Sequence, residues 1–289
     1  MVESGTIHNM IELSEGQVNM GNHEHDTTKQ QSNIPHKIDI RVFSDNERLA
    51  RGACDYLLER VLSYARQQEV VHIAFSGGST PKVMFEYMVS DLYITRFPWK
   101  QLYLYFVDER MVPPNHPDSN YHMFQEATQG KIPLAPEQLI RINGELVPSK
   151  SAELYQTAIQ NSFHIHSSHL LSLDEVTIPV FDIIQLGMGD DGHTASLFPY
   201  TEGIKVQDEI VIANYVPKFD KWRVTLTAAV IQHAKEVFFL IAGSGKAQVL
   251  KEVLEGDFQP ERYPTQLITS AREQLTFLLD KDAARKIEG

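Results

Sequence analysis

The chain has 289 residues, 42% hydrophobic and 22% charged, which is the balance of a soluble globular protein long enough for a sizeable core. Acidic residues outnumber basic ones, 38 to 26, for a formal net charge of −12. That excludes the basic footprint of a duplex nucleic-acid binder, though not a local pocket for a small anion. One cysteine, Cys54, leaves neither an intrachain disulfide nor a cysteine-based zinc site, and the longest strictly apolar run, Val237 to Ala242, falls far short of a membrane span. The first basic residue is Lys29, so neither a secretory leader nor an Arg-rich transit peptide is recognisable. The expectation is a cytoplasmic protein with no nucleic-acid or membrane partner.

Residues 1–37 mix Gly, Gln, Asn, Thr and Glu with isolated apolar residues and the histidines His8, His23, His25 and His36. They show no sustained period of 2 or 3.6, which predicts a weakly ordered tail. From residue 38 to 289 the pattern is that of a single domain. Ile38, Ile40 and Val42 alternate as in a strand. Ser44 and Glu47 have the spacing of a capping box. Leu49, Ala53, Leu57, Val61 and Ala65 then follow at helical spacing, with Cys54 on or near the buried face. Strands are predicted at Val70 to Phe75, Leu102 to Val107, Phe181 to Leu186, Val237 to Ala242 and Phe277 to Leu279. Helices are predicted near Pro81 to Val89, Ala152 to Phe163 and Lys246 to Leu254, with a charged helix at the end. This alternation predicts a doubly wound, Rossmann-like α/β fold, with a mostly parallel sheet and helices on both faces.

Four of these apolar strands run directly into polar or glycine-rich loops, and parallel strands put all their C-terminal ends on one edge, where ligands bind. The first loop, Ser76-Gly77-Gly78-Ser79-Thr80, suits an anion. Its glycines permit close backbone approach, and Thr80-Pro81 reads as an N-cap and first helical residue, which would aim a helix N-terminus at the loop. Gly243-Ser244-Gly245-Lys246 opens another helix with a cation at its mouth, and a cation there opposes the helix dipole unless an anion binds. Asp108-Glu109-Arg110 follows the second strand. Gly187 to His193 follows the third and carries the chemistry: an imidazole is the side chain suited to general-base work at neutral pH, and Asp191, two residues earlier, could orient that of His193. Asp190, Asp191 and His193 could alternatively hold a metal, but no further ligand cluster accompanies them, so none is expected. His72 and His233 read as structural.

At these residues the sequence resembles the 6-phosphogluconolactonase family, within the wider group that includes glucosamine-6-phosphate deaminases. The matching stretches are IAFSGGSTP at 73–81, YFVDER at 105–110, PDSNY at 117–121, LGMGDDGHTASLFP at 186–199, RVTLT at 223–227 and AGSGKAQVL at 242–250. They run in the family's order from about residue 38 to the end, and the tail has no counterpart. Deaminases carry D-E-Y and G-H-I-A-F-N-E-P where this chain has Asp108-Glu109-Arg110 and Thr194 to Pro199 after His193.

The resemblance implies hydrolysis of 6-phosphoglucono-δ-lactone, a phosphorylated sugar lactone, in the oxidative pentose phosphate pathway, with no cofactor or covalent intermediate. His193 would be the general base and Asp191 its orienting partner. Arg110 or loop amides would stabilise the oxyanion. The phosphate would lie against the amides from Gly77 to Thr80, beside Ser76, with Arg223 and Lys246 as cations and Lys218 as a weaker candidate on a loop. Asp108 would hydrogen-bond sugar hydroxyls or hold Arg110. Family members are commonly monomeric, which makes a monomer the expectation. The alternatives are a deaminase or aldose–ketose isomerase, with Asp108 moving a proton at C2, and a non-enzymatic sugar-phosphate sensor.

Overall fold

A computed structural model of the chain describes residues 7–11, 37–166, 170–173 and 176–287. Ile7–Ile11 (β1) pairs antiparallel with Lys37–Phe43 (β2), with Ile7 opposite Val42. The structure thus departs at these five residues from the weak order expected of residues 1–37. Backbone pairing along an open sheet edge needs no side-chain period. The rest of that stretch lies outside the described residues.

Asn46–Ala65 (α1) buries Leu49, Ala53, Cys54, Leu57 and Val61 along one face. Its N-cap is Asp45, which accepts from the Arg48 amide at 2.8 Å, and the Ser44 hydroxyl donates to Asp45 instead of capping the helix. Of two adjacent cap-competent residues, the ionised one makes the stronger bond to the helix amides.

The chain continues through Val71–Phe75 (β3), Ser79–Met88 (α2), Leu102–Phe106 (β4), Asp108–Arg110 (β5), Asn120–Thr128 (α3), Leu139–Ile140 (β6) and Pro148–Ile165 (α4). Leu170–Leu173 (β7) and Val176–Pro179 (β8) form a hairpin with no counterpart in the predicted elements. Ile183–Leu186 (β9) follows, then the hairpin Val211–Val216 (β10) and Lys221–Leu226 (β11), and Ala228–Gln232 (α5). Glu236–Ile241 (β12), Ala247–Glu255 (α6), Thr265–Thr269 (α7), Gln274–Asp280 (β13) and Lys281–Ala284 (α8) complete it.

The main sheet runs β1-β2-β13-β12-β9-β3-β4-β6, parallel throughout except for β1. Every residue of β3 and β9 is buried, so both sheet faces are covered, as the doubly wound reading expects. Strand order reverses between β3 and β9: from β3 the chain moves out to β4 and β6, and from β9 it moves the other way to β12 and β13. The crevice at such a reversal lies beyond the strands' C-terminal ends.

A second sheet, β10-β11-β5, is antiparallel. Asp108-Glu109-Arg110 is therefore a strand and not a loop. The chain steps between sheets at Val107, whose amide donates to Phe75 O of the main sheet at 2.9 Å and whose carbonyl accepts from Leu226 N of the small one at 2.8 Å. Among the described residues no helix is long and apolar enough to cross a membrane.

His72, inside β3, is 1% exposed and stacks on Phe163 at 3.9 Å, with Nδ1 2.8 Å from the Tyr105 hydroxyl. His233 Nδ1 lies 2.7 Å from Ala229 O, so the structural reading of both histidines fits. Burial, reinforced by the charges of His166 and Lys235, pushes the His72 pKa down to about 3. The unfolded imidazole titrates near 6.5, so the folded state is favoured in full above that pH and loses stability as pH falls toward the depressed value. Between pH 7 and pH 5 the wild-type chain is expected to lose about 2 kcal/mol more stability than a His72→Gln variant. Urea midpoints at the two pH values measure this, and equal losses would refute it.

Candidate active site

The loops after β3 and β9 meet because those two strands are neighbours, with Ala74 opposite Ile184 and Phe75 opposite Gln185. The Ser76 amide donates to Gln185 O at 3.1 Å, tying the first loop to the end of β9. A cleft of about 330 Å³ opens at this point. Its walls include Ser76, Gly77, Gly78, Ser79, Thr80, Asp108, Arg110, His193, Arg223 and Lys246. Ten of the predicted site residues thus share one cavity although the chain separates them by up to 170 positions. Asp191 and Lys218 stand behind it.

The 76–80 loop enters α2 in a way the sequence did not foretell. The N-cap is Gly78, at φ +126°, and Thr80 and Pro81 lie within the first helical turn. Only glycine adopts that backbone readily, so the cap falls two residues before the expected Thr80 and the helix begins at Ser79. The correction moves the helix N-terminus further into the loop. Its first-turn amides have no intrahelical acceptor and open on the cleft. A Cβ on Gly77 would lie 1.9 Å from Asn120 Oδ1, so the close approach demands glycine there too. The Ser76 hydroxyl is buried and has no hydrogen-bond partner among the described residues, a group available to a ligand in this cleft.

Asp191 and His193 form a tight pair. The ring Nδ1 lies 2.5 Å from Asp191 Oδ1, which leaves Nε2 as the ring atom free to accept a proton. Asp191 Oδ2 accepts from Lys218 Nζ at 2.8 Å, and Asp190 lies 3.6 Å from the same ammonium. Burial alone would raise the Asp191 carboxyl, but the hydrogen bonds and charges of His193 and Lys218 outweigh it and hold the group well below the ordinary carboxylate range. Lys218, the weaker of the expected phosphate cations, pairs with these two aspartates. Among the described residues no group of three or more histidines, cysteines and carboxylates is placed to hold a metal.

The imidazole is stacked on Phe198 at 3.9 Å, and Phe219 meets Phe198 edge-on. Gly189 makes room for the pair, since a Cβ there would lie 2.0 Å from His193 Nδ1 and 2.6 Å from Asp191 Oδ1.

The two arginines come from the small sheet, and Lys246 from the turn after β12 of the main sheet. Arg110 on β5 faces Arg223 on β11 in register. Arg110 Nη1 donates to Asp118 O at 2.7 Å. Burial, and then the neighbouring charge of Arg110, pull Arg223 below the ordinary arginine range. Two guanidinium groups on adjacent strands repel each other, and an anion between them would relieve that cost.

Glu109 belongs to the scaffold. It is 2% exposed and accepts from the amides of Arg110, Asn120 and Tyr121 and from the Ser119 hydroxyl, anchoring α3. Burial pushes its pKa up, against the pull of those donors. Asp108 is also held: Oδ2 accepts from Ser196 Oγ at 2.6 Å, and Oδ1 lies 3.3 Å from Asn120 Nδ2. Asn120, Ser196, Phe198 and Phe219 were not singled out by sequence reasoning. The first three sit inside the recognised stretches, but nothing in their spacing reveals that they face this cleft.

A Gly189→Ala variant is expected to stay folded, because this buried glycine lies in a loop outside the sheet strands, but to lose at least about 100-fold in turnover by displacing the imidazole. Circular dichroism with steady-state assay checks both halves. Near-normal turnover would mean that the 187–193 loop has slack which the contacts do not show.

A family model described as glucosamine-6-phosphate isomerases/6-phosphogluconolactonase matches residues 44–277. The chain is 38% identical over 254 residues to 6-phosphogluconolactonase of Homo sapiens, covering 85% of this chain and 92% of that protein. It is 34% identical over 238 residues to 6-phosphogluconolactonase of Haemophilus influenzae, covering 82% and 96%. The solved structure of 6-phosphogluconolactonase from Trypanosoma cruzi superposes with a TM-score of 0.75 at 28% identity, covering 86% of this chain and 97% of that one. With the fold, the strand-end cleft and these matches in agreement, the chain is a member of the glucosamine-6-phosphate isomerase/6-phosphogluconolactonase family.

Proposed function

We propose that the chain hydrolyses 6-phosphoglucono-δ-lactone to 6-phosphogluconate, the lactonase step of the oxidative pentose phosphate pathway. The observation that carries this reading is one cleft holding a carboxylate-oriented imidazole together with two facing arginines, a lysine and a helix N-terminus. A neutral base beside a concentrated positive field suits water attack on an ester whose far end is a phosphate.

In this reading Nε2 of His193 takes a proton from water as the water oxygen bonds to the lactone carbonyl carbon. The carbonyl oxygen becomes an oxyanion, stabilised by Arg110 or loop amides. The bond from that carbon to the ring oxygen then breaks, and the imidazolium returns its proton to the ring oxygen as a hydroxyl. Asp191 holds the δ-tautomer and stabilises the transient imidazolium. Arg223, Lys246 and the Ser76–Thr80 turn receive the phosphate. The cycle needs no redox step, metal or covalent enzyme intermediate, and the enzyme is read as a cytoplasmic monomer.

Proton shuttling at a sugar carbon, as in the deaminase alternative, would need a carboxylate free to move. Asp108 instead has both oxygens engaged by Ser196 and Asn120.

A coupled assay, with lactone made in situ from glucose 6-phosphate, tests the reading. His193→Asn is expected to lower kcat by about 10²–10⁴-fold. Turnover undiminished above the spontaneous rate would remove His193 as base. Arg223→Ala is expected to raise KM for the phosphorylated lactone at least about tenfold, with a much smaller effect on unphosphorylated glucono-δ-lactone. An equal effect on both lactones would remove the phosphate assignment.

A further inference from the structure

The β10–β11 hairpin closes over the 187–198 loop through two side chains at its tip. Pro217–Phe219 forms a single 3₁₀ turn, followed by Asp220 at φ +52°, and the Tyr215 hydroxyl bonds Asp220 to close the turn. This small structure presents Lys218 and Phe219 in fixed directions. Lys218 Nζ reaches Asp191 Oδ2 at 2.8 Å, 27 positions earlier in the chain. Phe219 packs edge-on against Phe198, the ring on which the His193 imidazole stacks. The ammonium lies 5.4 Å above the Phe219 ring, which limits its freedom further.

Asp191 therefore has one oxygen for each partner, Oδ1 for the imidazole and Oδ2 for the lysine. A carboxylate held at one oxygen only can rotate about its terminal torsion, which is broad, and the imidazole would follow it. Held at both oxygens, it is locked. Lys218 is not among the residues lining the cleft, whereas Arg223, five positions on in the same hairpin, is.

We propose that Lys218 is a positioning residue, which fixes the rotamer of Asp191 and through it the imidazole of His193, and that it makes no contact with substrate. The residue that positions the base and the phosphate-facing Arg223 thereby sit on one hairpin. A second element of that hairpin, Phe219, backs the imidazole through Phe198. The assignment rests on the lactonase reading for its kinetic consequences, but the contact itself does not depend on that reading.

Two measurements on a Lys218→Met variant test it. Lys218 is about half exposed, so the variant is expected to fold. First, kcat for lactone hydrolysis is expected to fall about tenfold while KM stays within about twofold, because a misaligned base costs rate and leaves binding intact. Lys218→Arg, which keeps the cation, is expected to recover most of the loss. A raised KM with unchanged kcat would make Lys218 a substrate ligand and overturn the proposal, as would unchanged values of both. Second, the His193 imidazole can be titrated by ¹H–¹⁵N correlation spectroscopy without substrate. The charged groups around the same loop and cleft are Asp190, Asp191, Lys218, Asp108, Arg110, Arg223 and Lys246. Removing only the Lys218 cation leaves Asp191 free to serve the imidazolium alone, so the midpoint is expected to move up by about 0.5 unit or more. No movement would overturn the contact in solution. A wild-type chain without lactonase activity would sink the functional reading, and the titration would still decide the role of Lys218.

Discussion

Everything at this site depends on the parallel pairing of β3 with β9. Ladder hydrogen bonds fix the register at Ile73 to Phe75 against Ile183 to Gln185, so the two chain segments leave the sheet at the same height and on the same side. One departs as the glycine turn that opens α2, the other as the loop that carries Asp191 and His193. Between them the strand order reverses. A helix N-terminus and the Asp191–His193 pair therefore meet in one crevice.

The second requirement is charge. A chain with 38 acidic and 26 basic residues is a poor host for a phosphorylated ligand on average. The β10-β11-β5 sheet answers this locally by setting Arg110 and Arg223 side by side. That arrangement costs electrostatic energy while the cleft lacks an anion and repays it when one binds, which favours phosphorylated over neutral substrates. Glu109 provides the support: buried beneath the strand, its carboxylate gathers three backbone amides and a hydroxyl, pinning α3 to β5 and holding Arg110 in line.

The third requirement is rigidity around a single imidazole. Glycine at 189 lets the ring sit against its own loop, Phe198 backs it, and Asp191 bonds it. A base that keeps one geometry before substrate arrives loses nothing to reorganisation during the reaction. The hairpin tip that reaches Asp191 through Lys218 extends the same logic one residue further from the chemistry.

Much of this was legible from residues alone, for definite reasons. Unbroken apolar runs such as Val237 to Ala242 mark strands covered on both faces, and the glycine-rich stretches that follow such strands mark the ligand edge. Asp191 and His193 are two positions apart, so their partnership needed no fold to be seen. Other features were hidden because they join residues distant in sequence. Asp108-Glu109-Arg110 looks like a polar loop until β11 offers it ladder hydrogen bonds. Gly78, not Thr80, caps α2, because a backbone angle is chosen by where the chain must go next. The contact of Lys218 with Asp191 could not be read from sequence, because the hairpin tip brings together residues 27 positions apart. Local patterns, then, dictate which segments are strands, helices and reactive loops, since periodicity and turn chemistry act over a few residues. Which charged side chains meet, as Lys218 meets Asp191 and Arg110 faces Arg223, is decided only when distant strands pair, because charge partners are assigned by distance in space.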